Sequence, residues 1–329
     1  MCIRDRKKAF DVFADIGHLS DEALVEAIRE NQIDILIDLG GHTDASRILA
    51  LARRAAPVQV TYLGYPATVG ADFIDYTLAD KFVVPESEMH HFSEKLAYLP
   101  ECFQVSDRKR RVDPRTPTRS ECGLPEDGFI FCSFNNPYKI NPPVFDVWMR
   151  LLNKVPGSVL WLFAENKWAQ TNLSREAQAR GIAPERLVFA QAVAHPTYLA
   201  RLTLADLFLD SWPYNAGTTA SDALWVGLPV LTCVGRSFPA RMAGSLLNVL
   251  ELPELITFAP EEYEAVALQL ARTPELLKSL RQKLAANSKS SPLFDTPRTT
   301  RHIEVAYLQM WERYKRGDAP ESFTVPAMS

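Results

Sequence analysis

The chain has 329 residues, 47% of them hydrophobic and 23% charged, with a formal net charge of −4. That length favours two domains, the composition belongs to a chain with true apolar cores, and the mild acidity argues against a nucleic-acid partner. Cys2, Cys102, Cys122, Cys132 and Cys233 are scattered with no C-x-x-C pair, no apolar run is long enough to cross a bilayer, and no signal-peptide pattern follows the basic start. The sequence therefore reads as cytoplasmic, with no membrane association, no disulfide framework and no zinc site.

In chain order, residues 1–6, MCIRDR, resemble the translation of a sequencing-library adapter and are set aside. Residues 20–32 place Ala23, Leu24, Ala27 and Ile28 at helical spacing, with Ser20 as N-cap and Asp21 and Glu22 in the first turn. Short β-rich runs follow at 33–43, 58–66 and 94–100, and this alternation predicts a parallel sheet with crossover helices. Residues 104–128 are polar and contain Pro114, Pro117 and Pro125, which predicts a linker. Within it, Arg108, Lys109, Arg110 and Arg111 read as a solvated loop, with a patch for an acidic ligand as the alternative.

From residue 129 the alternation restarts. Strands are expected at 129–134, 158–163, 186–190, 206–210 and 229–233, and helices at 142–155, 173–181, 195–205 and 218–227. This is the pattern of a doubly wound α/β domain. Two more helices follow at 260–271 and 274–287, and an amphipathic helix at 300–317 closes the chain.

The dinucleotide fingerprint, the P-loop, the G-x-S-x-G elbow, H-E-x-x-H and the Asp-x-Asp metal clamp are all missing from the sequence. Any nucleotide must then have its phosphates neutralised by protein groups. In open α/β sheets ligands bind beyond the carboxyl ends of the strands. Residues 134–140, 190–198 and 211–222 all fall there. Thr218 and Thr219 open a helix whose free N–H groups and dipole make an anion seat. The competing reading is a capping box, Thr219 to Asp222, that needs no ligand. Lys139, three residues from Asn136, can balance a diphosphate or lie solvated on the surface. Arg201, one turn after Tyr198, reads either as a surface arginine or as a site residue. His42, in D-L-G-G-H-T, can act as acid, base or donor, or be a solvated turn histidine. His90 and His91 lack metal-ligand spacing and read as surface residues.

Taken together, VQVTYLGYPATVGADFIDY, SEKLAYLP, GLPEDGFIFCSFNNPYKI, VPGSVLWL, LADLFLDSWPYNAGTTASDALWVGLPVLT, SSPLF and YLQMWERY resemble, in order, the catalytic region of the O-GlcNAc transferase and SPINDLY family, glycosyltransferase family 41. The resemblance covers roughly residues 10–317. It implies an α/β GT-B architecture, two Rossmann-like domains facing a cleft. The division it suggests is a partial, acceptor-side first domain at 7–115, a nucleotide-sugar domain at 116–296, and a closing helix with tail at 297–329. The family's first domain begins upstream of residue 7, so the first domain is expected to be incomplete, and tetratricopeptide repeats are expected to precede it.

The implied activity is inverting, metal-independent transfer of a sugar to protein Ser or Thr hydroxyls, with no cofactor beyond the nucleotide-sugar donor. By position, Asn136, Lys139, Thr218 and Thr219 would meet the diphosphate, with Arg201 near it. Asp222 would hold the ribose, and Val193 and His195 would lie by the nucleobase. Tyr198 stands where the family carries a histidine. Gly217 stands where animal members carry another. Asn136 matches SPINDLY-like members, while animal members have glutamine. Arg201 and Asp222 favour UDP-GlcNAc as donor over GDP-fucose or UDP-glucose, and His42 is the candidate general base. The rival readings are a non-catalytic nucleotide-binding scaffold on the same fold and a relative that releases UDP without a protein acceptor.

Overall fold

The computed structural model describes residues 7–328, so the reading of residues 1–6 lies outside it. The chain divides into two compact units. One takes residues up to Leu78 with His91–Leu96 and Ala306–Ser322; the other takes Ala79–His90, Ala97–Val305 and the residues from Phe323 onward.

In the first unit, α1 (Asp21–Glu30) starts where the sequence predicts. The Ser20 hydroxyl accepts from Ala23 N–H at 3.2 Å, and Asp21 and Glu22 lie in the positive first turn. Its apolar face, Leu24 and Val25, packs with Ile48, Leu51, Val69 and Ile74. Strands β1 (Ile35–Asp38), β2 (Val58–Thr61), β3 (Tyr76–Ala79) and β4 (Lys95–Tyr98), with β11 (Phe323–Thr324), lie in that order in one sheet. β1 pairs β2 in parallel from Ile35↔Val58 to Asp38↔Thr61, and β2 pairs β3 in parallel at Val60↔Tyr76. The division between units falls within β3 and β4 and assigns β11 to the second unit.

The second unit holds β5 (Ile130–Ser133), β6 (Val159–Phe163), β7 (Leu187–Ala190), β8 (Leu207–Leu209), β9 (Val230–Cys233) and β10 (Ile256–Thr257). Their order is β10-β9-β8-β5-β6-β7, and the registered pairs are parallel. Around the sheet run α2 (Pro142–Lys154), α3 (Lys167–Ala179), α4 (His195–Leu202), α5 (Thr218–Trp225), α6 (Met242–Val249), α7 (Pro260–Arg272) and α8 (Pro274–Ser290). Sheets covered on both faces have continuously apolar strands. Accordingly Phe131, Leu160, Leu207 and Phe208 are fully buried, each side chain contributing about 2–3 kcal/mol of transfer free energy. α9 (Thr296–Lys315) runs through the boundary at Val305 and Ala306.

Three sequence readings change. α3 begins at Lys167, ahead of the expected 173, because Asn166 Oδ1 accepts from Trp168 N–H at 2.8 Å and caps it. β3, α6, β10 and β11 carry no earlier prediction. Residues 104–128 do not form a free linker. Ser106 Oγ lies 2.9 Å from Ser221 Oγ, the Asp113 carboxylate accepts from Thr197 Oγ1 at 3.0 Å, and Leu124 is buried. That polar stretch is held down by hydrogen bonds, which a hydropathy pattern does not register.

Candidate functional site

The order of the second sheet has one reversal. The chain moves outward from β5 through β6 to β7, then returns to the other side of β5 with β8 and proceeds to β9 and β10. The carboxyl ends of β5 and β8 therefore flank the topological switch point, where such sheets open a crevice for ligands.

Asp210, immediately after β8, organises this point. It is fully buried. Its carboxylate accepts from Asn135 Nδ2 at 3.1 Å, Ser211 N–H at 2.8 Å, Ala216 N–H at 2.7 Å and Thr232 Oγ1 at 2.7 Å. Burial pushes its pKa up to about 6, opposed by these donors and by the charge of Lys139. Through Asn135 the end of β5 is tied to the end of β8, and through Ala216 the loop before α5 is fixed. Neither Asn135 nor Asp210 was among the residues expected from sequence. Asp210 looks there like the last residue of an apolar strand.

Lys139 ends a short 3-10 turn after β5, whose N-cap is Asn136; the Asn136 side chain accepts from Tyr138 N–H at 3.3 Å and is otherwise exposed. The Lys139 ammonium donates to the Asn215 carbonyl at 2.8 Å and lies 3.9 Å from the centre of the Tyr214 ring. Burial pushes its pKa down, and Asp210 opposes that. The lysine is thus half-buried and aimed at the loop that feeds α5, rather than solvated.

α5 has Gly217 as its N-cap residue and no side-chain cap among the described residues. The capping-box reading therefore fails. Asp222 does not bond back to the helix start; its Oδ1 accepts from Arg110 Nη1 at 2.6 Å and its Oδ2 lies 3.2 Å from His195 Nε2. Thr219 Oγ1 donates to Asn135 Oδ1 at 2.6 Å, and Thr218 is exposed. A Cβ built on Gly217 would lie 3.3 Å from Gln104 Oε1, so a larger residue there requires Gln104 to yield.

The solvated-loop reading of the basic run fails at Arg110. Its side chain is 10% exposed, it also donates to Ser221 Oγ at 3.1 Å, and it lies over the Trp225 and Phe294 rings at 5.2 and 5.5 Å. The acidic partner of this patch is Asp222 itself, a protein carboxylate.

Four remaining candidates gather around β7 and α4. Val193 is exposed on the segment between them, and His195, also exposed, opens α4. Tyr198 packs edge-on against Phe134, and its hydroxyl is buried with no hydrogen-bond partner among the described residues; burial raises its pKa. Arg201 is buried, not a surface arginine. Its Nη1 donates to the Gln191 carbonyl at 2.7 Å, and its guanidinium lies within 6 Å of the Phe134, Trp161 and Tyr198 ring centres. It fixes the loop after β7.

His42 belongs to the first unit. Its Nε2 lies 2.8 Å from the Val69 carbonyl, which can only accept, so Nε2 is the donor and the lone pair of the neutral tautomer falls on Nδ1. The Tyr65 ring meets it edge-on. The turn that carries it is tight. Gly41 has φ +51°, and a Cβ on it would fall 2.4 Å from Tyr65 Cβ. Among the described residues no group of three or more His, Cys, Asp and Glu side chains is placed to hold a metal ion, and no helix is long and apolar enough to cross a membrane.

Two α/β units, the second a parallel doubly wound sheet with an open helix start at its switch point, define a GT-B-type protein. The chain belongs to glycosyl transferase family 41, whose family profile matches residues 5–116 and 112–303. It is similar to a probable UDP-N-acetylglucosamine–peptide N-acetylglucosaminyltransferase SEC of Arabidopsis thaliana, 38% identical over 95% of this chain and 33% of the relative. A rice protein named SPINDLY, with the same probable activity in its name, is 34% identical over 94% of this chain and 33% of its own length. A solved mutant O-GlcNAc transferase of Thermobaculum terrenum superposes with a TM-score of 0.87 at 32% identity, covering 95% of this chain and 60% of that one. The chain thus spans about a third of the length of these curated relatives. The family and fold expected from the motifs hold.

Proposed function

We propose that this chain carries the catalytic region of an inverting, metal-independent glycosyltransferase that moves GlcNAc from UDP-GlcNAc to Ser or Thr hydroxyls of proteins. The observation that carries this reading is the uncapped start of α5 at the switch point, approached by Lys139 through Asn215. Free N–H groups and a half-buried ammonium there supply what a departing nucleoside diphosphate requires. The names of the plant relatives supply the donor and the peptide acceptor.

The acceptor hydroxyl attacks the anomeric carbon from the face opposite the leaving group, and the bond to the β-phosphate oxygen breaks. Negative charge then grows on that phosphate. Preorganised donors aimed at growing charge are worth about 3–4 kcal/mol each in a water-poor site. On this reading Lys139 and the α5 N–H groups provide that stabilisation, so no divalent cation is required. Asp222 and His195 form the nucleoside-facing pair, with Asp222 held in place by Arg110. Val193 lies beside the base, and Arg201 and Tyr198 shape the floor beneath it. His42, with its Nδ1 lone pair available, is the candidate base.

Gly217 favours a second reading, nucleotide binding without transfer, because no side chain precedes the Thr218–Thr219 pair. A peptide-transfer assay supplied separately with UDP-GlcNAc, UDP-glucose and GDP-fucose decides between them. Glycosylated peptide with UDP-GlcNAc supports the proposal. Nucleotide binding with no product supports the second reading, and free sugar alone identifies a hydrolase.

A further inference from the structure

The hydrogen-bond inventory around Asn135 assigns a direction to each bond. Ser211 Oγ donates its one hydrogen to the Tyr214 carbonyl at 2.9 Å, so toward Asn135 it can only accept. Asp210 Oδ1 likewise accepts. Asn135 faces both, at 3.1 Å from Asp210 and 3.0 Å from Ser211. Its NH₂ must point there, because turning the amide over would set its oxygen against two acceptors in a buried place. The Asn135 carbonyl oxygen is thereby left facing Thr219 Oγ1, 2.6 Å away. The single hydroxyl hydrogen of Thr219 is then committed to Asn135.

We infer that Thr219 is a positioning residue rather than a phosphate donor. Its hydroxyl fastens the first turn of α5 to the end of β5, with Asp210, Ser211 and Asn135 setting the direction of the bond. Toward a bound anion it offers only lone pairs, which repel it. The anion is held by the main-chain N–H groups that this bond keeps aimed and by Lys139. This rests on the nucleotide reading above and changes the part played by one residue in it.

A double-mutant cycle tests it. UDP and uridine affinities are measured by calorimetry for the parent protein, Thr219→Val, Asn135→Ala, the double variant and Thr219→Ser, with urea unfolding of each. If Thr219 acts through Asn135, each single change weakens UDP about tenfold. The double variant is then no weaker than the worse single, Thr219→Ser restores affinity, and uridine affinity stays within about twofold throughout, since uridine has no phosphate to sense the helix start. Multiplying losses, about a hundredfold in the double variant, would mean that Thr219 meets the phosphate on its own, and would overturn the inference. So would a Thr219→Val protein that binds UDP like the parent. Should the parent bind no UDP, the nucleotide reading is what fails. The commitment of the hydroxyl is then judged from the unfolding cycle, where additive rather than coupled losses would overturn it.

Discussion

Lys139 and Asp210 show how much of the candidate site depends on half-buried and fully buried charge. The lysine is drawn below its ordinary pKa by burial and held by the Asn215 carbonyl. Replacing it with alanine removes the one positive side chain that, among the described residues, is tied to the loop before α5. Lys139→Ala is expected to lower kcat for peptide glycosylation by about 10²–10³-fold, the cost of removing one preorganised donor, while urea unfolding shifts little. Asp210 lends itself to a pH experiment. Burial raises its pKa from 3.8 to about 6, so the folded state holds this proton more tightly than the unfolded chain. Its contribution to stability is full below pH 4 and is lost as pH rises through 6. A shift of that size corresponds to about 3 kcal/mol. Between pH 4 and 7, urea midpoints of the parent protein should fall relative to those of Asp210→Asn; parallel pH profiles would refute this assignment.

At the scale of elements, α5 is the unit on which the site turns, and the segment before β5 holds it down. Arg110 crosses from that segment to Asp222, whose side chain is 5% exposed. Arg110→Met leaves a buried carboxylate whose remaining partner among the described residues is His195, a loss expected to cost about 3–5 kcal/mol and readable as a lower urea midpoint. Gly217→Ala should be mild, within about 1 kcal/mol, because the atom its Cβ meets is the far end of the Gln104 side chain. Thermal unfolding of that variant checks it. These contacts also mark what the sequence hides. Most strands and helices around the sheet are written in alternating apolar runs and caps, and are legible. α6 is not, since Met242, Ala243, Gly244, Ser245, Leu246 and Leu247 are all buried and show no polar face to reveal a period. Arg110 and Asp222 bury themselves by pairing with each other across 112 residues, and no local pattern announces a partner at that distance.

For the whole molecule, the legible part is the topology. Alternating strands and helices predict a doubly wound sheet, and a doubly wound sheet predicts a ligand at its switch point; the structure puts Asn135, Lys139, Asp210 and the start of α5 there. The chain belongs to family 41, and the names of its plant relatives contain a nucleotide sugar and a peptide, which the proposed function brings to that point. What no motif conveyed is direction: which way the Asn135 amide turns, and whether a carboxylate caps a helix or clamps an arginine. These follow from donor and acceptor counts in three dimensions. The central claim, that the start of α5 with Lys139 seats a nucleoside diphosphate, is tested most directly by titration calorimetry of the folded chain with UDP. The account predicts saturable binding at one site, weakened about tenfold or more in Lys139→Ala, the loss of one hydrogen bond from a charged group. A well-folded parent protein that releases no heat of binding with UDP, or a Lys139→Ala variant that binds it equally well, would contradict it.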